Sequence, residues 1–302
     1  MADMQNKVTT LKKDRQFKDC YGSEPIVILK MWQEHLASTD EDARIVPGEM
    51  TMKQYLLGHN LIYKYGTVKS RTRIFKLDKS TILKWGNLSV EKIMSLAATK
   101  IVWPDEWKEI AVNDDVSIDA FGDTGDNDGS KTMFRLSIDG TQFRIEEPID
   151  PDFRKNNKFY AFKFEKAGVN VEIGLDLFRD RIVWVNGPFP GSVHGDLTMF
   201  REEGGLKQKM EETGSIKAVG DKGYRGENAL ISVHNSLDSP QVQEFKKRAL
   251  AWHETMNKRL INFSCLGERF RHKFHNFKKV LLAVVVTVQF QFENGSPLFN
   301  SV

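Results

Sequence analysis

The chain has 302 residues, 40% of them hydrophobic and 28% charged, which calls for one large domain or two smaller ones. It also excludes collagen-like, low-complexity and mostly disordered chains. The formal charge of +3 hides segregation, with −2 over residues 1–50, +8 over 51–104, −10 over 105–153 and +7 over 241–279.

The first fifty residues are polar at their start, without the apolar stretch of a signal peptide. They contain one clear helical pattern, Pro25 to Leu36, with Ile26, Ile28, Leu29, Trp32 and Leu36 near a helical period. The basic block follows, with a helical stretch from Met52 to Tyr65 ending at Gly66. Another begins at Asp78 or Ser80 and runs through Ile82, Trp85, Leu88, Ile93 and Leu96. Short helices on a basic segment suggest a helix-turn-helix, in which Lys69, Arg71, Arg73, Lys76, Lys79 and Lys84 would meet phosphates or bases; a small helical bundle with a solvated face fits the pattern equally well. Interleaved aromatics here (Tyr63, Tyr65, Phe75, Trp85) and in the second basic block (Phe263, Phe270, Phe274) make nucleic acid the first partner to consider.

Trp103-Pro104 closes the helical region, and the acidic, glycine-containing stretch from Val112 to Lys131 reads as a linker. Its Asp123 to Gly129 segment is not an EF-hand, because setting Gly129 at the sixth loop position puts Arg135 where the closing Glu belongs. Strands are expected at Phe134–Ile138, Gln142–Ile145, Val169–Phe178, Arg181–Val185 and Ser215–Val219, with Asp180 at a tight turn. From Pro240 a strong helix is marked by Val242, Phe245, Ala249, Trp252, Met256, Leu260 and Phe263. The apolar run 280–286 is far shorter than the roughly 20 residues of a spanning helix. With only Cys20 and Cys265 present, no disulfide scaffold forms and a reducing compartment is favoured.

Several carboxylates sit beside glycines where strands end or turns begin: Asp139, Asp196 and Asp221. Each suits a hard divalent cation, though singly each reads as a turn residue. Four motifs lend them a common meaning. They are Ser137-Ile-Asp139-Gly-Thr141; Asn186 to His194 leading through Gly195 to Asp196-Leu-Thr-Met-Phe200-Arg201; Gly220-Asp221-Lys-Gly-Tyr224-Arg-Gly226; and Arg248-Ala-Leu-Ala-Trp-His253-Glu254-Thr-Met-Asn257-Lys-Arg-Leu260. In this order and spacing they resemble the endonuclease domain of PIF/Harbinger-type transposases, a branch of the DDE superfamily. The likeness covers roughly residues 130–302, with a weaker one of 50–104 to the family's N-terminal helix-turn-helix region. In the family a His usually abuts the second Asp, whereas Gly195 intervenes here.

The resemblance implies an α/β fold: an RNase H-like mixed sheet flanked by helices, preceded by a small all-helical N-terminal region. The corresponding domains are 1–104 (helical, basic), 105–132 (acidic linker) and 133–302 (endonuclease). It implies phosphodiester cleavage and joining of DNA at transposon ends with two divalent ions, Mg²⁺ or Mn²⁺. Asp139, Asp196 and Glu254 are then the catalytic triad and metal ligands, with Asp221 an additional or alternate ligand. Glu254 also reads as an exposed acid paired with Lys258. Lys246, Lys247, Arg248, Lys258 and Arg259 would place cations around the metal site, where strand phosphates lie, while Arg71, Arg73 and Lys76 of the first block would bind DNA through the N-terminal segment. Val280 to Phe292 favours a strand by its β-branched residues and a helix by the resemblance, which is followed. A domesticated DNA-binding relative and a plain metal-dependent nuclease without strand transfer are the alternatives. A nuclear location, a separate DNA-binding partner and self-association are further implications of the resemblance, and no membrane role is expected.

Overall fold

The computed structural model describes residues 2–110, 133–147, 157–214 and 216–298. The acidic segment 112–131, read as a linker, lies outside them. By internal packing the chain forms two compact units: 1–100 with 258–297, and 101–257 with 298–302. Residues 258–297, expected in the nuclease domain, therefore pack with the N-terminal helices, while Trp103 and Trp107 belong to the core of the sheet unit.

The helical unit contains α1 (Ala2–Tyr21), α2 (Pro25–Ala37), α3 (Met52–Lys64), α4 (Val68–Phe75), α5 (Lys79–Ser95) and α6 (Ala97–Lys100). Local chemistry sets their ends. Thr51 and Gln54 form a reciprocal capping box at the start of α3, and Asp78 accepts from Thr81 N (2.9 Å) at the start of α5. Helix α3 stops with Tyr65 itself in the left-handed region at φ 47°, one residue before the expected Gly66. Arg71, on α4, is buried; its guanidinium donates to Leu57 O (2.8 Å) on α3 and lies against Gly86 of α5. Arg71 is thus a tie between three helices and is withdrawn from the expected phosphate contacts.

The sheet unit opens with α7 (Glu106–Ile110) and β1 (Met133–Arg144), then β2 (Tyr160–Ala161), β3 (Lys166–Asp176) and β4 (Ile182–Pro190). Helices α8 (Asp196–Arg201) and α9 (Leu206–Thr213), strands β5 (Ile216–Val219) and β6 (Ile231–Ser232), and α10 (Pro240–Ile261) follow. The sheet is mixed: β1 pairs antiparallel with β3 and parallel with β5, β3 pairs antiparallel with β2 and β4, and β5 runs parallel to β6. Where two strands were expected around Asp139-Gly140-Thr141, β1 runs straight through. Through this segment β1 stays paired with β3, Asp139 to Ile173, Gly140 to Glu172 and Thr141 to Val171, while its pairing with β5 ends at Ser137, so one continuous antiparallel ladder carries the Gly-containing stretch without a turn.

A register shift in the β1–β5 pairing between Phe134 and Leu136 divides the core. Leu136 and Ile138 join Phe200, Leu206, Met210 and Tyr224, whereas Phe134, two residues earlier, packs with Val219, Phe245 and Ala249 beneath α10. Lys246 is buried near the start of α10, donating to Val233 O (2.9 Å) and pairing with Asp238 (2.6 Å). It anchors the helix and is unavailable to a phosphate.

The rest of 258–297 is α11 (Ser264–Gly267) and α12 (Phe277–Glu293). Helix α12 is buried along almost its whole length and packs on α2, α3, α5 and α6. Enclosure on all sides explains why a run of valines, with its strand-like composition, is helical here. Arg259 donates to Ser296 O (2.5 Å) and Pro297 O (2.7 Å) and lies over the Phe292 ring, which commits it to holding the chain beyond α12.

Candidate active site

Asp139 sits within β1, opposite Ile173 of β3, and its carboxylate reaches α10, where Asn257 Nδ2 donates to Oδ2 (2.8 Å). Two residues earlier on the same strand, Ser137 Oγ is hydrogen-bonded to His253 Nδ1 (2.9 Å), one turn before Asn257. Strand and helix thus meet in step, since two strand residues and four helical residues each advance about 6 Å. Burial keeps His253 neutral by pushing it down to about 3, so it positions Ser137 without adding charge.

Asp196 is the first residue of α8, with Gly195 before it in extended conformation as the N-cap. The segment leading there is held by Asn170, buried on β3, whose Nδ2 donates to His194 O (2.5 Å). His194 is itself stacked on Phe189 and bonded to Glu202 (2.9 Å). Asp221 follows β5, the parallel neighbour of β1, and accepts from Gly223 N (2.7 Å) as it caps a short 3₁₀ turn.

Two glycines let these acids approach. A Cβ on Gly140 would lie 2.0 Å from Asp196 Oδ1, and one on Gly223 would lie 2.1 Å from Asp196 Oδ2 and 2.9 Å from Asp221 Oδ1. Asp196 is therefore wedged between the two motif glycines and faces Asp221 across the second. Gly140, which follows Asp139, and Gly223, two residues after Asp221, are thus space requirements of the site.

The electrostatics record the crowding. Burial, then the charges of Asp221 and Asp196, push the Asp139 carboxyl up to about 7. Burial and Asp221 raise Asp196 to about 6. Glu172, fully buried on β3 opposite Gly140, is raised to about 8 by burial and, further, by Asp196, while its Oε2 accepts from Trp184 Nε1 (3.0 Å). No cation acts on any of these three acids among the described residues. Buried carboxylates repelling one another without a counter-charge are unfavourable in isolation, and an added cation relieves them.

Of the residues expected to form the site, Asp139, Asp196 and Asp221 come together. Glu254 is exposed on α10, on the turn before Asn257, and Asn257 is the α10 residue that touches Asp139. Sequence reasoning passed over Glu172, Asn170 and Asn257. Glu172 carries the one available signal, an acid inside an otherwise apolar strand run. Among the described residues no three His, Cys, Asp or Glu side chains converge into a ready-made metal cage. The acids nonetheless fit a hard divalent ion in chemistry: all are oxygen donors, gathered in one neighbourhood and uncompensated.

Of the exposed cations expected at phosphates, Lys247 lies 3.9 Å from Glu244 and Arg248 covers the Trp252 ring, while Lys258, Arg73 and Lys76 are at the surface. No helix is long and apolar enough to cross a membrane among the described residues. No curated protein and no solved structure matches the chain. Over residues 138–289, half of the chain and all three aspartates, the sequence matches the family of DDE superfamily endonucleases, and the chain belongs to that family.

Proposed function

We propose that this endonuclease is a PIF/Harbinger-type transposase whose site cuts and joins DNA with two Mg²⁺ or Mn²⁺ ions. The observation that carries the reading is the group of three aspartates in which Asp139 and Asp196 have raised carboxyl pKa values and no protein cation acting on them. When bound, the ions supply activation of the attacking oxygen and stabilisation of the leaving one. Asp139 and Asp221, from neighbouring parallel strands, and Asp196, from the start of α8, hold them, with Glu254 of α10 as the fourth carboxylate. Asn257 fixes the orientation of Asp139 by donating to one oxygen, leaving the other as an acceptor.

The mixed sheet flanked by helices supports an RNase H-like reading. The three helices α3, α4 and α5 support a helix-turn-helix role in which Arg73 and Lys76 contact phosphate, and Lys247, Arg248 and Lys258 serve the strand being cut. The resemblance to eukaryotic PIF/Harbinger-type elements would place the protein in a nucleus.

The test is incubation of purified protein with DNA carrying the element's ends, with Mg²⁺ or with EDTA, resolved on a gel that separates cleaved from joined products. Cleavage dependent on Mg²⁺ and lost in Asp139→Asn and Asp221→Asn, with circular dichroism unchanged, is expected. Cleaved products without joined ones would leave a plain nuclease, and full cleavage by Asp139→Asn would remove the assigned site.

A further inference from the structure

The hairpin formed by β2 and the start of β3 carries an exposed apolar surface that the site does not use. Phe159 and Ala161 point inward and are buried, so Tyr160 and Phe162 point outward, 36% and 75% exposed. Their rings stand perpendicular, with centroids 5.3 Å apart. Lys158, Lys163 and Lys166 are exposed on the same hairpin, with Glu165 as the one acid between Lys158 and Lys166, and none of the three lysines forms an ion pair among the described residues. A phenylalanine three-quarters exposed on a lysine-bearing hairpin is poorly explained by folding, since it gains almost no burial.

The hairpin is also tied to the active site. Ser192 Oγ donates to Asn157 O (2.8 Å) and Lys158 O (2.9 Å), and Ser192 N donates to Lys158 O (3.0 Å). Gly191 N donates to Gly168 O (3.2 Å) on the hairpin's other strand. Four residues after Ser192 the same segment presents Asp196. The base of the hairpin and the Asp196 segment are thus one hydrogen-bonded piece, so the aromatics keep a fixed relation to that carboxylate.

We propose that this hairpin is a stacking platform for unpaired bases of the DNA substrate, with Phe162 as the main stacking surface and Lys158, Lys163 and Lys166 on the flanking phosphates. The inference rests on the site acting on DNA. The lysines alone would suit any phosphate backbone, but exposed ring faces add nothing to a phosphate contact. They pair with base faces, which are hidden in an intact duplex and open in a frayed or nicked end. The excess of positive charge along the hairpin, three lysines against Glu165, favours a polyanion over an apolar protein surface.

The experiment is fluorescence anisotropy in EDTA with short labelled oligonucleotides, single-stranded and duplex, for wild type, Phe162→Ala, Tyr160→Ala and Phe162→Trp. Phe162→Ala should weaken single-strand binding by about five-fold or more while duplex affinity holds, and Phe162→Trp should restore it, because stacking is sequence-tolerant and needs only an aromatic face. Equal single-strand affinity in Phe162→Ala and wild type overturns the platform while leaving the endonuclease reading intact. An altered oligomeric state in Phe162→Ala with unchanged DNA affinity assigns the patch to a protein contact and equally overturns it. Wild-type protein binding neither form of DNA overturns both.

Discussion

Each unit buries charge without an ion pair, and the two do so to opposite ends. In the helical unit Arg71 is buried with a backbone carbonyl as its partner, and burial lowers it only to about 10, so it stays charged at neutral pH. In the sheet unit Asp139, Asp196 and Glu172 are raised to about 7, 6 and 8, which brings them to the edge of ionisation under the same conditions. The guanidinium has found an acceptor inside the fold, and its charge holds helices together. The acids Asp139 and Glu172 have found donors for single oxygens, from Asn257 and Trp184, and the repulsion within the group is left over. A buried charge answered by the protein is structural; one left unanswered among its like marks the place where something from outside binds.

The strongest way to break this contrast is at Arg71. Arg71→Ala removes a large buried side chain and its bond to Leu57 O, and should cost about 3 to 5 kcal/mol of stability. Denaturant unfolding should show it, with Arg73→Ala, on the same helix but exposed, near zero as the control. A mild Arg71→Ala phenotype accompanied by a large loss of DNA affinity would restore Arg71 to the phosphate contacts and dissolve the comparison.

The acids should behave in the reverse sense. Asp139 ionises near 3.8 in an ordinary setting and near 7 in the fold. Between those values the native state holds a proton that the unfolded chain has released, so stability falls as pH rises through the window and stays low above it. An amide at this position has no proton to lose and escapes the penalty. Metal-free Asp139→Asn should therefore be more stable than wild type at pH 8, by about 2 kcal/mol with the effect shared among coupled acids, and equal to it near pH 4. His35, His59 and His253, held down at about 4, 3 and 3 by burial, act with the opposite sign. The difference between variant and wild type at each pH, measured by thermal melting, isolates Asp139. A variant destabilised at pH 8 would mean that this carboxylate is a structural partner like Arg71.

The same contrast explains what was legible in the sequence. The strands, the long helix α10 and the three acidic motifs announce themselves through alternation, helical period and glycine-flanked carboxylates. Burial of Arg71 was not legible, because an arginine in a basic run looks like its exposed neighbours until Leu57 O and Gly86 are brought to it from other helices. The unbroken β1 was hidden for a similar reason: Asp-Gly-Thr is turn chemistry locally, and only pairing with β3, together with the space Asp196 takes above Gly140, makes it strand. The grouping of 258–297 with the N-terminal helices depends on contacts across some two hundred residues, which local pattern does not encode. Asn170 carries no sequence signal, and Asn257, although it stands in the fourth motif, is not marked there as a partner of Asp139, since one amide on a helix or a strand is unremarkable until its partner is known.

The smallest expected effect on folding sharpens the comparison most, because it concerns an acid outside the crowded group. Glu254 is exposed, and Glu254→Gln should change stability by no more than about 0.5 kcal/mol at neutral pH. Asp139→Asn, by contrast, should shift stability with pH. If Glu254 nevertheless completes the metal site, calorimetric titration with Mn²⁺ should show weaker binding in Glu254→Gln than in wild type, alongside a larger loss in Asp221→Asn, whose carboxylate already faces Asp196. Stability and metal affinity would then be uncoupled at this residue, as they must be for a ligand supplied from the surface of α10. Normal Mn²⁺ binding and cleavage in Glu254→Gln, with both lost in Asp221→Asn, would reduce the site to the three aspartates that the sheet and α8 bring together, with Asn257 of α10 holding Asp139.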